Sequence, residues 1–492
     1  MARRTVLLCT EGTYPYTGGG VSTWCDILCR ELAEVDFTIF AVTGSQEVQL
    51  RYELAPNVRA IVQLPLFGTE SPYDHVLRDV GVAEIERRRA RTTPQVVREQ
   101  FVPLLRRLLV GLRDDVGGAE DDGRLLWELW SYFREHDWRR SWRGDEAWTT
   151  FLDTVNDWPA VAGEAATAAD VTQAMRWLYS FLVPLAAPVP DVDLVHTTIA
   201  GFPGIAGIVA KWERGTPFLV TEHGVWVRER YIAISNGGFS AFAKRFLMDL
   251  SSYIARVNYR CADVVSPVAD FNTRWEVRWG VERERLVTIP NAVDPAVFVP
   301  RPKPATGRPT VVAAARIFPL KDIEMMIRAA AVARESVPDV KFLVYGSLDA
   351  DVPYVERCRA LVADLGLGET FELAGHHSNP AELFAEGDIS ALSSISEGFP
   401  YTVLESMACG RPVVGTDVGG VREALQGYGI VVPPRDHQAF GEGVATLLKD
   451  DALRQRLGRH AREAVLARFR TSGNVAAYRN LYERVGGLTL VG

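Results

Sequence analysis

Short apolar runs, set apart by Gly- and Pro-rich turns and by stretches of helical periodicity, recur along most of this chain. Val6-Leu7-Leu8-Cys9 is the first, a run of the kind that forms a parallel strand buried on both faces. Glu11 to Gly20 reads as a turn, Val21 to Ala33 carries apolar residues at helical spacing, and Phe37 to Val42 predicts a second strand. Further on, the pattern predicts strands at Leu194-Val195-His196 and Phe218-Leu219-Val220 with a helix at Ala206 to Arg214 between them. A long helix at Ala241 to Cys261 and short strands at Asp263 to Ser266 and Leu286 to Ile289 follow. The second half alternates cleanly, with strands at Val311-Ala315, Lys341-Tyr345, Phe371-Leu373, Ile389-Ser393, Val413-Thr416 and Ile430-Val432 and helices between them. Such alternation predicts parallel sheets covered by helices on both faces.

Two features break the rhythm. From about Tyr73 to Pro188 strand signals vanish, and Arg87-Arg88-Arg89, Leu104-Leu105, Leu108-Leu109 and Leu125-Leu126 mark amphipathic helices. Seven of the twelve tryptophans lie between Trp127 and Trp177, which predicts a helical insertion with an aromatic core of its own. Packing against the parent domain is the favoured use of those rings, and a docking surface for a partner or a membrane-associated assembly is the alternative. The second break is the crowd of Pro290, Pro295, Pro300, Pro302, Pro304 and Pro309, too dense for a helix or a central strand. A domain boundary is expected there. The division is residues 1–295 (insertion about 73–190), 296–470, and a C-terminal helical segment 471–492 that returns to the first domain.

Length fits this organisation, since 492 residues exceed one compact core. Lys and Arg number 54 against 62 Asp and Glu, a net charge of -8 that argues against nucleic acid as a partner. Six scattered cysteines read as reduced core thiols of a cytoplasmic protein. Cys25 and Cys29 are spaced four apart, but nothing nearby completes a metal site. The apolar run behind Arg3 and Arg4 is too short for a signal peptide, and no stretch is long and apolar enough to span a membrane.

The chemistry-bearing segments sit at predicted strand ends. In Ser394-Ile395-Ser396-Glu397-Gly398-Phe399-Pro400-Tyr401-Thr402-Val403-Leu404-Glu405, Gly398 permits a tight backbone, and Pro400 suits the first position of a helix. The N–H groups of Tyr401, Thr402 and Val403 would then form an anion site. Glu397 and Glu405 flank it as acceptors for sugar hydroxyls. Arg316 follows a strand and Lys321 is expected to begin the next helix, a pair of fixed cations suited to a departing diphosphate. Gly18-Gly19-Gly20 lets a ligand approach the backbone, though it is neither a P-loop nor a dinucleotide fingerprint. His223, in Thr221-Glu222-His223-Gly224, ends a strand beside a glycine. A two-carboxylate glycoside hydrolase would leave the phosphate-type features idle.

Together these residues resemble glycosyltransferase family 4, through the Glu397-x7-Glu405 pattern, the Arg316…Lys321 pair, the terminal Gly-rich loop and the linker Pro290-Asn291-Ala292-Val293-Asp294. Ala292 stands where that family often has Gly. Glu11-Gly12-Thr13-Tyr14-Pro15-Tyr16, Gly19-Gly20-Val21-Ser22, Thr221-Glu222-His223-Gly224 and the insertion narrow the resemblance to the PelF-type subgroup of exopolysaccharide synthesis. The resemblance implies an α/β GT-B fold, two Rossmann-like domains facing a central cleft. It implies a retaining, metal-independent hexosyltransferase without a cofactor, taking glucose from UDP-glucose to a glycan acceptor. Catalytic roles then fall to His223, Arg316, Lys321 and Glu397. Donor contacts fall to Gly19, Gly20, Gly398, Phe399, Pro400, Tyr401, Thr402 and Glu405. It also implies association with a membrane-bound polysaccharide synthesis complex through the insertion. A sugar-nucleotide epimerase and a non-catalytic sugar-nucleotide-binding subunit are the alternative functions.

Overall fold

The computed structural model describes residues 3–68, 70–113, 119–161, 165–304, 307–349, 351–377 and 379–487. By internal contacts the chain forms two compact units, one of residues 1–267, 273–287 and 478–492, the other of residues 268–272 and 288–477. Each holds a six-stranded sheet.

The first sheet comprises β1 (Arg4–Glu11), β2 (Val35–Thr43), β3 (Val58–Pro65), β4 (Leu194–Thr197), β5 (Phe218–Glu222) and β6 (Val264–Pro267), in the order β3-β2-β1-β4-β5-β6. The second comprises β7 (Thr310–Ala314), β8 (Lys341–Tyr345), β9 (Phe371–Gly375), β10 (Ile389–Leu392), β11 (Val413–Thr416) and β12 (Ile430–Val432), in the order β12-β11-β10-β7-β8-β9. Every pairing is parallel. Strands β4, β5, β10 and β11 are buried throughout, as expected of short apolar runs with helices on both faces.

Two expectations change. An edge strand, β3, lies where none was predicted, because its exposed Arg59 and half-buried Gln63 interrupt the apolar signal. The strand expected at Leu286–Ile289 does not form. Leu286 makes a single bridge to Val265, and Val287 N–H donates to Val265 O at 3.0 Å. Pro290 then follows, with no N–H to extend a ladder.

The insertion is helical, with helices at Val82–Arg91, Val102–Arg113, Ala119–Glu135, Trp138–Arg143, Asp145–Asn156 and Ala168–Phe181. Residues 114–118 and 162–164 of the expected span lie outside the described residues. Its aromatic core is not separate. Trp130, Trp138, Trp142 and Trp177 are buried in one apolar cluster that also contains Leu7 and Cys9 of β1 and Phe218 of β5. Phe181 stacks on Phe202, in the loop after β4, at 4.9 Å between ring centroids.

The last helix, Thr471–Gly486, carries Tyr478 and Tyr482 into the first unit; residues 488–492 of the expected C-terminal segment lie outside the described residues. Tyr482 Oη and Thr221 Oγ1 lie 2.8 and 2.7 Å from the two ring nitrogens of His196. Burial, with the neighbouring His223 adding to it, lowers His196 to about 3, so its ring is neutral.

In the second unit Gly346 follows β8 and donates its N–H to Gly375 O at 2.8 Å. A Cβ there would lie 1.8 Å from Ala315 O, a backbone atom that no side-chain rotation relieves. Gly346→Ala is therefore expected to destabilise the protein by about 3 kcal/mol, the upper range for overpacking, read from the midpoint of urea unfolding.

Candidate functional site

In an open parallel sheet, ligands bind beyond the carboxyl ends of the strands where the winding reverses. In the second sheet that point lies between β7 and β10, which pair Val311 with Ile389 and Val312 with Ser390. The loops leaving these strands carry Arg316, Lys321 and Glu397. Ser393 Oγ donates to Lys321 O at 2.7 Å, and Ile395 N–H donates to Leu320 O at 2.9 Å, so the two loops are joined by backbone as well as by charge.

Lys321 does not begin a helix. It closes a one-turn 3-10 segment, Pro319–Lys321, and Asp322, at φ 47°, caps the helix Ile323–Ser336 through Met325 N–H. This turns the Lys321 ammonium back onto Glu397 Oε1, where it forms an ion pair. Ser394 Oγ donates to the same oxygen. The side chains of Lys321 and Glu397 are 18% and 11% exposed, so solvent screens the pair only in part. Removing one partner should cost roughly 1–3 kcal/mol, below the fully buried limit. Arg316 is exposed, lies over the Phe318 ring at 4.9 Å, and makes no ion pair with a carboxylate among the described residues.

Pro400 is the residue before the helix rather than its first residue; at ψ 125° it is extended, and the helix runs Tyr401–Ala408. Its first internal bond is Leu404 N–H to Pro400 O at 3.5 Å, so the amides of the opening turn have no carbonyl of their own helix to bond. Gly398 and Phe399 are fixed from below. Gly420 N–H donates to Gly398 O at 2.6 Å, and Asn291 Nδ2 donates to Phe399 O at 2.8 Å. Gly419 sits at φ 54°, and a Cβ on it would come within 2.0 Å of Glu397 O. The sequence motif includes Ser394 without a role and leaves out the Gly419-Gly420 pair, although Gly419-Gly420 follows a strand as Gly18 to Gly20 does. Glu405 lies one turn into the helix. It keeps some surface, yet burial raises its carboxyl to about 7.

In the first unit, Gly19 has φ 142° and precedes the helix Gly20–Glu31; space is open where its Cβ would stand. Gly18 packs against the guanidinium of exposed Arg51, a cation that the motif reading did not include. His223 is buried, and the Trp24 ring of the Gly20–Glu31 helix meets it edge-on at 4.7 Å. His223 and the helix that Gly19 and Gly20 open are thus brought together. Among the described residues, no three His, Cys, Asp or Glu side chains are grouped as a metal ion would need, and no helix is long and apolar enough to cross a membrane.

A family profile described as "Domain of unknown function (DUF3492)" matches residues 4–284, more than half of the chain. The chain belongs to that family. Residues 298–464 of this DUF3492 chain match a second profile, "Glycosyl transferases group 1". An exopolysaccharide phosphotransferase of Streptomyces coelicolor is 33% identical over 206 residues, 41% of this chain and 21% of that protein. The next two curated relatives are matched over 37% and 62% of their own length. Among solved structures, sucrose-phosphate synthase from Thermosynechococcus elongatus has a TM-score of 0.63 at 18% identity, covering 99% of this chain and 100% of that one. Anabaena HepE in complex with UDP and glucose has a TM-score of 0.58 at 13% identity, covering 98% and 100%. At such identities the likeness is one of fold, and the fold is GT-B, with two Rossmann-like domains.

Glu405 supplies a test of the second unit. Its folded-state carboxyl titrates near 7 against an ordinary value of 4.5. The folded state therefore disfavours the ionised form, a cost absent below the ordinary value and complete above about pH 7. The melting temperature of Glu405→Gln relative to wild type should rise between pH 5 and pH 8. A flat difference across that range would contradict the burial of this carboxyl.

Proposed function

We propose that this protein is a glycosyltransferase, a retaining hexosyltransferase that moves glucose from UDP-glucose to a glycan acceptor in exopolysaccharide synthesis. The observation that carries the reading is the gathering of Arg316, Lys321 and Glu397 at the winding reversal of the second sheet, beside the helix that opens at Tyr401. Arg316 and Lys321 stabilise the departing diphosphate, as fixed charges do where negative charge develops. Lys321 and Ser394 both occupy Oε1 of Glu397, and Oε2 is the oxygen that takes the donor-sugar hydroxyls. The opening turn of the Tyr401–Ala408 helix faces phosphate oxygens, with Gly398, Phe399, Pro400 and Thr402 shaping its approach. Glu405 accepts the ribose hydroxyls. Gly19 and Gly20 admit the phosphates to the backbone of the first domain, and His223 lies by the sugar and acceptor.

In the reaction, the bond between the anomeric carbon and the diphosphate oxygen breaks, and the acceptor oxygen forms its bond on the face just vacated. The acceptor proton leaves with the diphosphate. Such a route depends on stabilising the leaving group more than on a strong base, and the reading includes no metal or cofactor. The choice of UDP and glucose draws on the ligands named with the Anabaena structure, and the pathway draws on the name of the Streptomyces relative. The same reading places the protein in the cytoplasm. The tryptophans of the insertion are mostly internal, so contact with a membrane-bound synthesis complex would fall to its exposed helix faces.

Melting temperatures measured with UDP-glucose, UDP-N-acetylglucosamine, ADP-glucose and GDP-mannose test the donor, because a ligand bound only by the folded state raises them. UDP-glucose should give the largest rise, and no rise with any of the four would refute the reading. Arg316→Ala should lower turnover by about 100-fold with little change in melting temperature, since the exposed guanidinium gives up only its contact with the Phe318 ring. Lys321→Ala should lower both, because it leaves Glu397 without its cation. Products separate the alternatives: an epimerised sugar nucleotide without glycan growth points to an epimerase, and binding without turnover to a non-catalytic subunit.

A further inference from the structure

Glu222, the residue before His223, is fully buried at the end of β5. Its Oε1 accepts from Ala200 N–H at 2.7 Å and from the Tyr259 hydroxyl at 3.1 Å, and its Oε2 accepts from Trp226 N–H at 3.2 Å. Three elements meet on this one carboxyl: the loop after β4, the first residue of the helix Trp226–Asn236, and the helix Ala241–Cys261. The bond to Trp226 spans His223, closing a short loop around it from i to i+4. It also supplies the helix cap that Val225, which has no side-chain oxygen, does not. The Trp24 ring bounds His223 at 4.7 Å.

A carboxyl in this position is expensive. Burial raises it to about 8, and Glu276, also fully buried and raised to about 9, opposes a second charge nearby. An apolar side chain of equal size would avoid that cost but would leave the Ala200 and Trp226 amides without their acceptor.

We infer that Glu222 is the positioning residue for His223, holding the turn from 222 to 226 in the one shape that fixes where the imidazole stands. Only the catalytic consequence rests on the role proposed for His223; the grip itself rests on the three hydrogen bonds.

The two are separated by a measurement that needs no activity. With 13C-labelled histidine, the His223 imidazole signal is assigned by its loss in His223→Ala. Glu222→Gln preserves volume but presents an NH2 to an amide donor, breaking one of the two backbone contacts. It should shift or broaden the His223 signal and leave those of His376, His377, His437 and His460, all in the second unit, in place. An unmoved His223 signal overturns the inference. In a transfer assay, Glu222→Gln should lower kcat by about 10-fold or more, with KM for UDP-glucose unchanged. It should add less than about 2-fold on top of His223→Ala, because both variants remove the same function. Equal losses in both backgrounds would mean general structural damage and would also overturn it. If wild-type protein transfers no sugar, the proposed function fails and the imidazole signal alone decides on Glu222. Should Glu222→Gln fail to fold, Tyr259→Phe removes one of the three bonds and little else, and should move the His223 signal in the same way; an unmoved signal there counts equally against it.

Discussion

Where a parallel sheet is wound outward in both directions from two neighbouring strands, the loops leaving those strands depart to opposite faces and no connection crosses between them. That constraint organises the second unit. β7 and β10 are such neighbours, and their loops place Lys321 beside Glu397 across 76 positions of sequence. The Ser393–Lys321 and Ile395–Leu320 bonds set the spacing of the two loops, so the ion pair is a product of topology rather than of either segment alone. The first unit reverses between β1 and β4, and the Gly-rich turn leaves β1 at the same kind of position.

Support beneath these loops comes from residues with little chemistry of their own. Gly419 and Gly420 bring the backbone after β11 against the carbonyls of Glu397 and Gly398, an approach closed to any residue with a Cβ. Asn291 ties Phe399 to the linker. Acidic groups show the opposite economy. Glu222, Glu276 and Glu405 are all held near or above neutrality by burial, so part of the protein's acidity is stored as carboxyl groups that exchange protons in the working pH range.

Much of this was legible in the sequence because short apolar runs have few alternatives. Lys341–Tyr345, Val413–Thr416 and Ile430–Val432 form strands over the expected residues. The Glu397 to Glu405 segment also places its helix correctly to within one residue. What escaped was encoded in pairing. β3 carries polar residues because one of its sides lies at the sheet edge. The helix Trp226–Asn236 sets Arg228, Glu229 and Arg230 between apolar residues that do not gather on one face, and so shows weak periodicity. The ion pair between Lys321 and Glu397, and the three bonds on Glu222, join residues distant in sequence, where no local spacing records the contact. The aromatic insertion was legible as helix, but its merging with the Rossmann core was not, because buried rings do not announce their neighbours.

The final helix has a consequence for dissection. Tyr478 and Tyr482 line the core around His196 and Trp24, yet they are reached only after the chain has passed through the whole second unit. A fragment ending at the proline-rich linker would therefore lack one wall of its own interior. The first unit is split in sequence, and its interior is complete only after the whole second unit has been translated.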